Sequence, residues 1–145
     1  MSEIFEDMAG GGGVVMMLAQ KNYDKETYAH VLRVAHFVED NELIPDHLKS
    51  FCIKLAICHD LIEDTDVSLG LFTGDFQLAL DAITKPEKET YKSYIKHIKE
   101  LDMGEEWCQA VYWVKIADMK DHLSQKETLT ERLKEKYLEG LAILL

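Results

Sequence analysis

The chain has 145 residues, with 27 acidic against 16 basic side chains and a formal net charge of −11. A single domain of this length buries roughly 68–70% of its unfolded surface and needs no disulfide or metal staple. Its 47% apolar and 30% charged residues exclude the disordered, collagenous and low-complexity classes. The acidic excess leaves little positive surface for non-specific binding to nucleic acid or to an anionic membrane, so neither is expected as a partner. An acidic chain that binds a phosphorylated ligand needs a metal or a focused cationic pocket to do so.

Residues 1–13, which end in the glycine run 10–13, read as a flexible segment ahead of a domain over 14–145. No Lys-Ser/Thr follows the glycines and no strand pattern precedes them, which sets a phosphate loop aside. Apolar residues then recur at spacings of three and four, and only Pro45 and Pro86 interrupt them. The fold class expected is all-α, one domain. A first helix is expected over 14–21. A second opens at Asp24 as N-cap, with Val31, Val34, Ala35 and Val38 on one face. A third starts at Pro45-Asp46 and runs unbroken through HLKSFCIKLAICHDLIED, apolar nearly all round at its centre and therefore buried. Residues 65–74 read as a loop with a short helical turn. A helix over 75–84 is stopped by Lys85-Pro86. Helices over 87–101, 105–123 and 130–144 complete the chain.

Cys52, Cys58 and Cys108 are odd in number and form no CxxC pair, so they read as reduced core thiols. No apolar run approaches the ~20 residues that span a bilayer. Glu3, Glu6 and Asp7 stand where a secretory signal carries positive charge. These features together lead to the expectation of a soluble, cytoplasmic protein.

The densest polar cluster closes the most apolar helix: His59-Asp60-Leu61-Ile62-Glu63-Asp64. One helical turn separates His59 from Glu63 and Asp60 from Asp64, so four ionisable groups share a narrow stripe. Three carboxylates this close repel unless a cation lies among them. The apolar LAIC directly before His59 favours a metal or catalytic role over a solvated helix end. His30 lies on an apolar helix face, either as a satisfied core residue or as a group converging on His59-Asp60. Asp118 interrupts the apolar VYWVKIAD, where it either pairs with Lys115 one turn earlier or serves as a buried ligand. His36, His47 and His97 read as exposed or structural. Two imidazoles and two carboxylates from three helices suit a divalent ion such as Mn²⁺, Fe²⁺ or Mg²⁺. They do not suit a structural zinc site, and no GxSxG elbow supplies a nucleophile.

The order of a single His, an adjacent His-Asp and a distant Asp resembles the HD-domain metal phosphohydrolase superfamily. YAHVLRVA at 28–35, HDLIEDT at 59–65 and VKIAD at 114–118 are similar to the hydrolase domain of RelA/SpoT-type enzymes, from about residue 21 onward. The resemblance implies a single HD-domain helical bundle that removes the 3′-pyrophosphate of (p)ppGpp, with Mn²⁺ as cofactor. It implies His30, His59, Asp60 and Asp118 as metal ligands and Glu63 and Asp64 as the pair that positions or activates water. It further implies Arg33, Thr84, Lys85 and Lys115 as contacts to a phosphorylated small molecule, a guanine nucleotide. Three segments differ from the family pattern: Val31 stands in place of Pro, QKNYDKE replaces a basic Gly-rich stretch, and Met119-Lys120-Asp121-His122 replaces Arg-Leu-His-Asn. The metal site therefore carries over more directly than the substrate. The alternatives are a phosphatase of another nucleotide or phosphorylated metabolite, or a ligand-binding module without catalysis.

Overall fold

In the computed structural model, residues 11–145 are described, and every regular element among them is helical. The chain runs α1 (Gly11–Asn22), α2 (Lys25–Asp40), α3 (Asp46–Cys58), α4 (Leu61–Asp64), α5 (Gly74–Ile83), α6 (Tyr91–Glu100), α7 (Glu106–Ser124) and α8 (Glu131–Leu144). Short 3₁₀ turns occupy Leu69–Leu71 and Leu101–Met103. The all-α reading holds.

Local chemistry accounts for most boundaries. The Asp24 carboxylate accepts the Thr27 amide at 2.7 Å and starts α2 where expected. At the other end, Lys49 Nζ donates to the carbonyls of Val38, Glu39 and Asn41 at 3.0, 3.1 and 2.6 Å. A cation is favoured there, because the last helical carbonyls lack partners and carry the negative end of the dipole. The hydroxyls of Thr90 and Thr130 accept the amides of Ser93 and Leu133 and so open α6 and α8. Helix α6 thus begins at Tyr91 rather than at residue 87, because a turn closed by Glu89 N–H on Pro86 O fills the interval.

Two expectations need correction. Of the segment 1–13 expected to be flexible, residues 1–10 lie outside the described residues, and α1 begins at Gly11, inside the glycine run. Glycine costs a helix about 1 kcal/mol per residue, so α1 draws its support from tertiary packing: it lies on α3 with Val15 and Ala19 buried. The helix expected without a break over 46–64 is two helices. His59 Nδ1–H donates to the Ala56 carbonyl at 2.6 Å, the carbonyl that an unbroken helix would give to the Asp60 amide. Asp60 then turns at φ −99°, ψ 0°.

The core centres on three mutually packed helices, α2, α3 and α7. Val31, Val34 and Val38 of α2 meet Leu48, Ile53 and Leu55–Cys58 of α3 and Val111 and Val114 of α7, all buried. Helices α5 and α8 flank α7, and α6 packs on α8. A Cβ at Gly140 would come within 2.7 Å of Met119 Cε, so glycine there lets α8 approach α7 closely. No helix among the described residues is long and apolar enough to cross a membrane.

Tyr23 ties the α1–α2 turn to the end of α3: its buried hydroxyl donates to the Ile57 carbonyl at 2.6 Å. Tyr23→Phe removes this bond and leaves the carbonyl unsatisfied, at a cost of about 1–2 kcal/mol. Thermal denaturation should show a melting temperature lower by about 3–6 °C. An unchanged melting temperature would mean the bond contributes nothing net.

Candidate metal centre

Each helix of the core triad delivers part of one cluster. His30 comes from α2, His59 from the end of α3, Asp60 from the break after it, and Asp118 from α7. His30 Nε2 lies 2.9 Å from Asp118 Oδ1 and 3.5 Å from Asp60 Oδ2. His59 Nε2 lies 3.1 Å from Asp118 Oδ1 and 3.4 Å from Asp60 Oδ2. Residues 88 positions apart, His30 and Asp118, therefore meet at one point, as the sequence pattern anticipates. His59 and Asp118 are buried, and His30 and Asp60 are nearly so.

The far side of each ring decides what the near side can do. His59 Nδ1–H is committed to the Ala56 carbonyl, which can only accept. His30 Nδ1 lies 2.6 Å from Asp121 Oδ2, a fully buried carboxylate that also accepts from Arg33 Nε at 2.8 Å. In neutral rings both Nε2 atoms are then lone pairs, and they face carboxylate oxygens. Lone pairs in such an arrangement require a cation or an extra proton between them. The donor set of imidazole nitrogen and carboxylate oxygen suits a divalent cation, and the donor atoms of His30, His59 and Asp60 all lie within 4.8 Å of one another.

The protein's own charges push in the same direction. Burial depresses the His59 imidazole, but the negative charges of Asp60 and Asp118 outweigh it and carry its pKa up to about 9. His30 follows the same pattern, with Asp118 overcoming desolvation to raise it. Burial alone would raise Asp118, yet Lys115 and His59 hold it well below the usual carboxylate range. Lys115 Nζ sits 2.9 Å from Asp118 Oδ2, so the pairing weighed for Asp118 is formed alongside its contacts with the imidazoles.

The remaining site residues expected from the sequence divide. Asp64, Arg33, His30 and Asp60 line a cleft of about 700 Å³ together with Lys25, Thr27, Gln125 and Thr128. Glu63, Asp64, Lys85 and Lys115 line a smaller cleft of about 250 Å³ that shares Asp60, Asp64 and His122 with the first. Glu63 Oε1 accepts the Lys85 amide at 2.8 Å. Burial and the charges of Asp60 and Glu63 raise the Asp64 carboxyl. Thr84 does not join the site: its hydroxyl turns back to the Leu80 carbonyl at 2.7 Å, as a β-branched hydroxyl at a helix end readily does. His36, His47 and His97 are exposed, each beside a glutamate.

Sequence reasoning assigns no site role to Asp121, His122, Lys136 or Tyr137. Asp121 orients His30. His122 Nε2 reaches Asp118 Oδ1 at 3.3 Å, and Tyr137 stacks on His122 with centroids 4.5 Å apart. Lys136 joins Lys85 and Lys115 around the smaller cleft. The spacing Asp118-x-x-Asp121-His122 was the available signal for the first two, since three and four residues on share a helix face.

No protein-family model matches the chain, and no curated protein or solved structure is detectably similar to it.

The raised pKa of His59 has a measurable consequence in chelator. A group whose folded pKa of about 9 exceeds its unfolded value near 6.5 contributes stability that is complete below the unfolded value and is lost as pH rises through the folded one. The melting temperature in EDTA should therefore fall between about pH 6.5 and pH 9. An NMR titration that put the His59 imidazole near its ordinary value would contradict this account.

Proposed function

We propose that this chain is a metal-dependent phosphohydrolase of the HD-domain superfamily. It holds a divalent ion, with Mn²⁺ the first choice and Fe²⁺ or Mg²⁺ as substitutes, on His30, His59, Asp60 and Asp118. The observation that carries the reading is the pair of imidazoles whose Nδ1 atoms are committed elsewhere, so that both Nε2 atoms face Asp60 and Asp118. The substrate is a guanosine 3′,5′-bis(diphosphate), hydrolysed at its 3′-pyrophosphate. No nucleic-acid or membrane partner is needed, and the cytoplasm is the compartment.

An ion in this position supplies a Lewis acid for phosphoryl oxygens and acidifies water. The chain's residues do the rest. Asp64, with its raised proton affinity, accepts the proton of the attacking water. Glu63, held by the Lys85 amide, acts with Asp64 as one acidic pair that positions and activates that water. Lys85, Lys115 and Lys136 answer phosphate charge in the smaller cleft, where water is partly excluded and fixed cations act strongly. The nucleoside lies in the larger cleft, where Thr27, Gln125 and Thr128 offer hydrogen bonds. Water oxygen bonds to the phosphorus attached to O3′, the P–O3′ bond breaks, and O3′ takes a proton. The products are pyrophosphate and GDP, or GTP where the 5′ end carries a triphosphate.

One observation favours another phosphorylated substrate. Arg33, assigned to substrate by the resemblance, spends its Nε on Asp121, a residue that differs from the family pattern. Purified protein with Mn²⁺, screened against ppGpp and a panel of nucleotides and sugar phosphates, separates the two. Pyrophosphate released from ppGpp, and abolished by chelator, supports the first; phosphate from another compound selects the second. Silence across the panel with metal bound leaves the reading of a ligand-binding module.

Glu63→Gln keeps an oxygen for the Lys85 amide and removes the charge. Metal content should persist while turnover falls by about 10²-fold or more, the scale of lost general acid–base help. Metal analysis beside steady-state kinetics decides it. Loss of metal together with activity would make Glu63 a ligand.

A further inference from the structure

We infer that His122 is a further donor to the same ion, so that the centre presents three imidazoles rather than two; this rests on the metal reading above. His122 Nε2 lies 3.3 Å from Asp118 Oδ1. It forms, with His30 and Asp118, a second group whose donor atoms all fall within 4.8 Å of one another. Asp118 and His122 are one turn apart on α7, the same-face spacing by which a single helix supplies two ligands.

A hydrogen-bonding explanation for His122 runs out of lone pairs. Three Nε2 atoms, from His30, His59 and His122, crowd one oxygen at 2.9, 3.1 and 3.3 Å. The other oxygen of Asp118 is taken by Lys115. One carboxylate oxygen has about two lone-pair sites, so it cannot accept from all three rings. A cation shared among the rings and that oxygen satisfies every one of them.

The ring is also held in plane for this task. His30 stacks on one face at 4.6 Å with a 30° tilt, and Tyr137 lies on His122 at 4.5 Å with a 6° tilt. Tyr137 is thus a positioning residue that brings α8 to the centre. An imidazole-rich set shifts preference from Mg²⁺ toward Fe²⁺, Co²⁺ and Zn²⁺, because imidazole suits the latter and carboxylate the former. The predicted ion class is a borderline transition metal.

The experiment is X-ray absorption on the full chain loaded with Co²⁺, counting imidazoles from their multiple scattering. Wild type should fit three, and H122F, which keeps an aromatic ring for Tyr137 but no donor, should fit two. H122F and H122N should also lower the ratio of Co²⁺ to Mg²⁺ affinity, by about tenfold or more. A wild-type centre with two imidazoles overturns the role of His122 and leaves the metal reading standing. Failure of wild type to take up Co²⁺ or Mn²⁺ overturns the metal reading itself. Because the wild-type count needs no variant, misfolding of H122F cannot rescue the inference.

Discussion

The carboxylate of Asp118 is the constraint around which the molecule is arranged. It is buried on α7 among the side chains that join α2, α3 and α7. An ionised carboxylate so placed costs several kcal/mol unless it is paired and hydrogen-bonded. Each of the three core helices contributes to that compensation: Lys115 from α7 itself, His30 from α2 and His59 from α3. The register of the helices is therefore set by polar contacts as well as by apolar packing. A slip of one turn in α2 would remove His30 from Asp118 and from Asp121 together. Buried polar contacts of this kind tolerate little displacement, because a half-satisfied network is worse than an apolar core.

The overall charge of −11 conceals a strongly uneven local field. Lys85, Lys115 and Lys136 border one small cleft together with Tyr91, Tyr94 and Tyr137. Their mutual repulsion is visible at Lys136, which burial together with the charges of Lys115, Lys85 and Arg132 depresses. Two of these ammonium groups lie over tyrosine rings, Lys115 at 5.1 Å from Tyr94 and Lys136 at 4.3 Å from Tyr91. Contacts with aromatic faces add to the stabilisation of both cations, in Lys115 beside its pairing with Asp118. Asp60, Glu63, Asp64 and Asp118 border the same cleft, so cations and carboxylates face one shared space.

Much of this is legible in the amino-acid sequence. The three-and-four spacing of apolar residues determined the helices, and Asp24, Pro86 and Thr130 marked boundaries close to their observed places. The convergence of His30, His59, Asp60 and Asp118 was anticipated because ionisable residues inside apolar helices need a shared reason to be there. The break at His59–Asp60 was not legible, since Leu61 and Ile62 continue the apolar pattern while a side-chain bond to Ala56 interrupts the backbone. Asp121 and His122 were missed for a different reason. They stand in the polar end of α7, where charged residues are ordinary; α2 brings His30 and Arg33 to Asp121, and His122 meets Asp118 on its own helix, His30 of α2 and Tyr137 of α8. Thr84 shows the reverse error: a side chain next to a functional loop spent its hydroxyl locally.

The charge balance of the buried cluster gives the last constraint. Asp60, Asp118 and Asp121 bring three negative charges, and Lys115 and Arg33 return two positive ones. With neutral imidazoles the cluster keeps one uncompensated negative charge in a poorly solvated place. Protonation of an imidazole cancels it, which is the physical content of the raised His59. A divalent cation would more than offset it, and the same imidazoles would then act as ligands, a role open only to the neutral ring. Protons and metal thus compete for one vacancy in the charge balance. On the proposed reading, metal uptake would release protons near neutral pH, and affinity would rise with pH until the imidazoles are neutral. Lys115 limits how far this can go. It stays paired with Asp118 Oδ2, which leaves only Oδ1 to face the imidazoles and, on the proposed reading, an ion held together with Asp60.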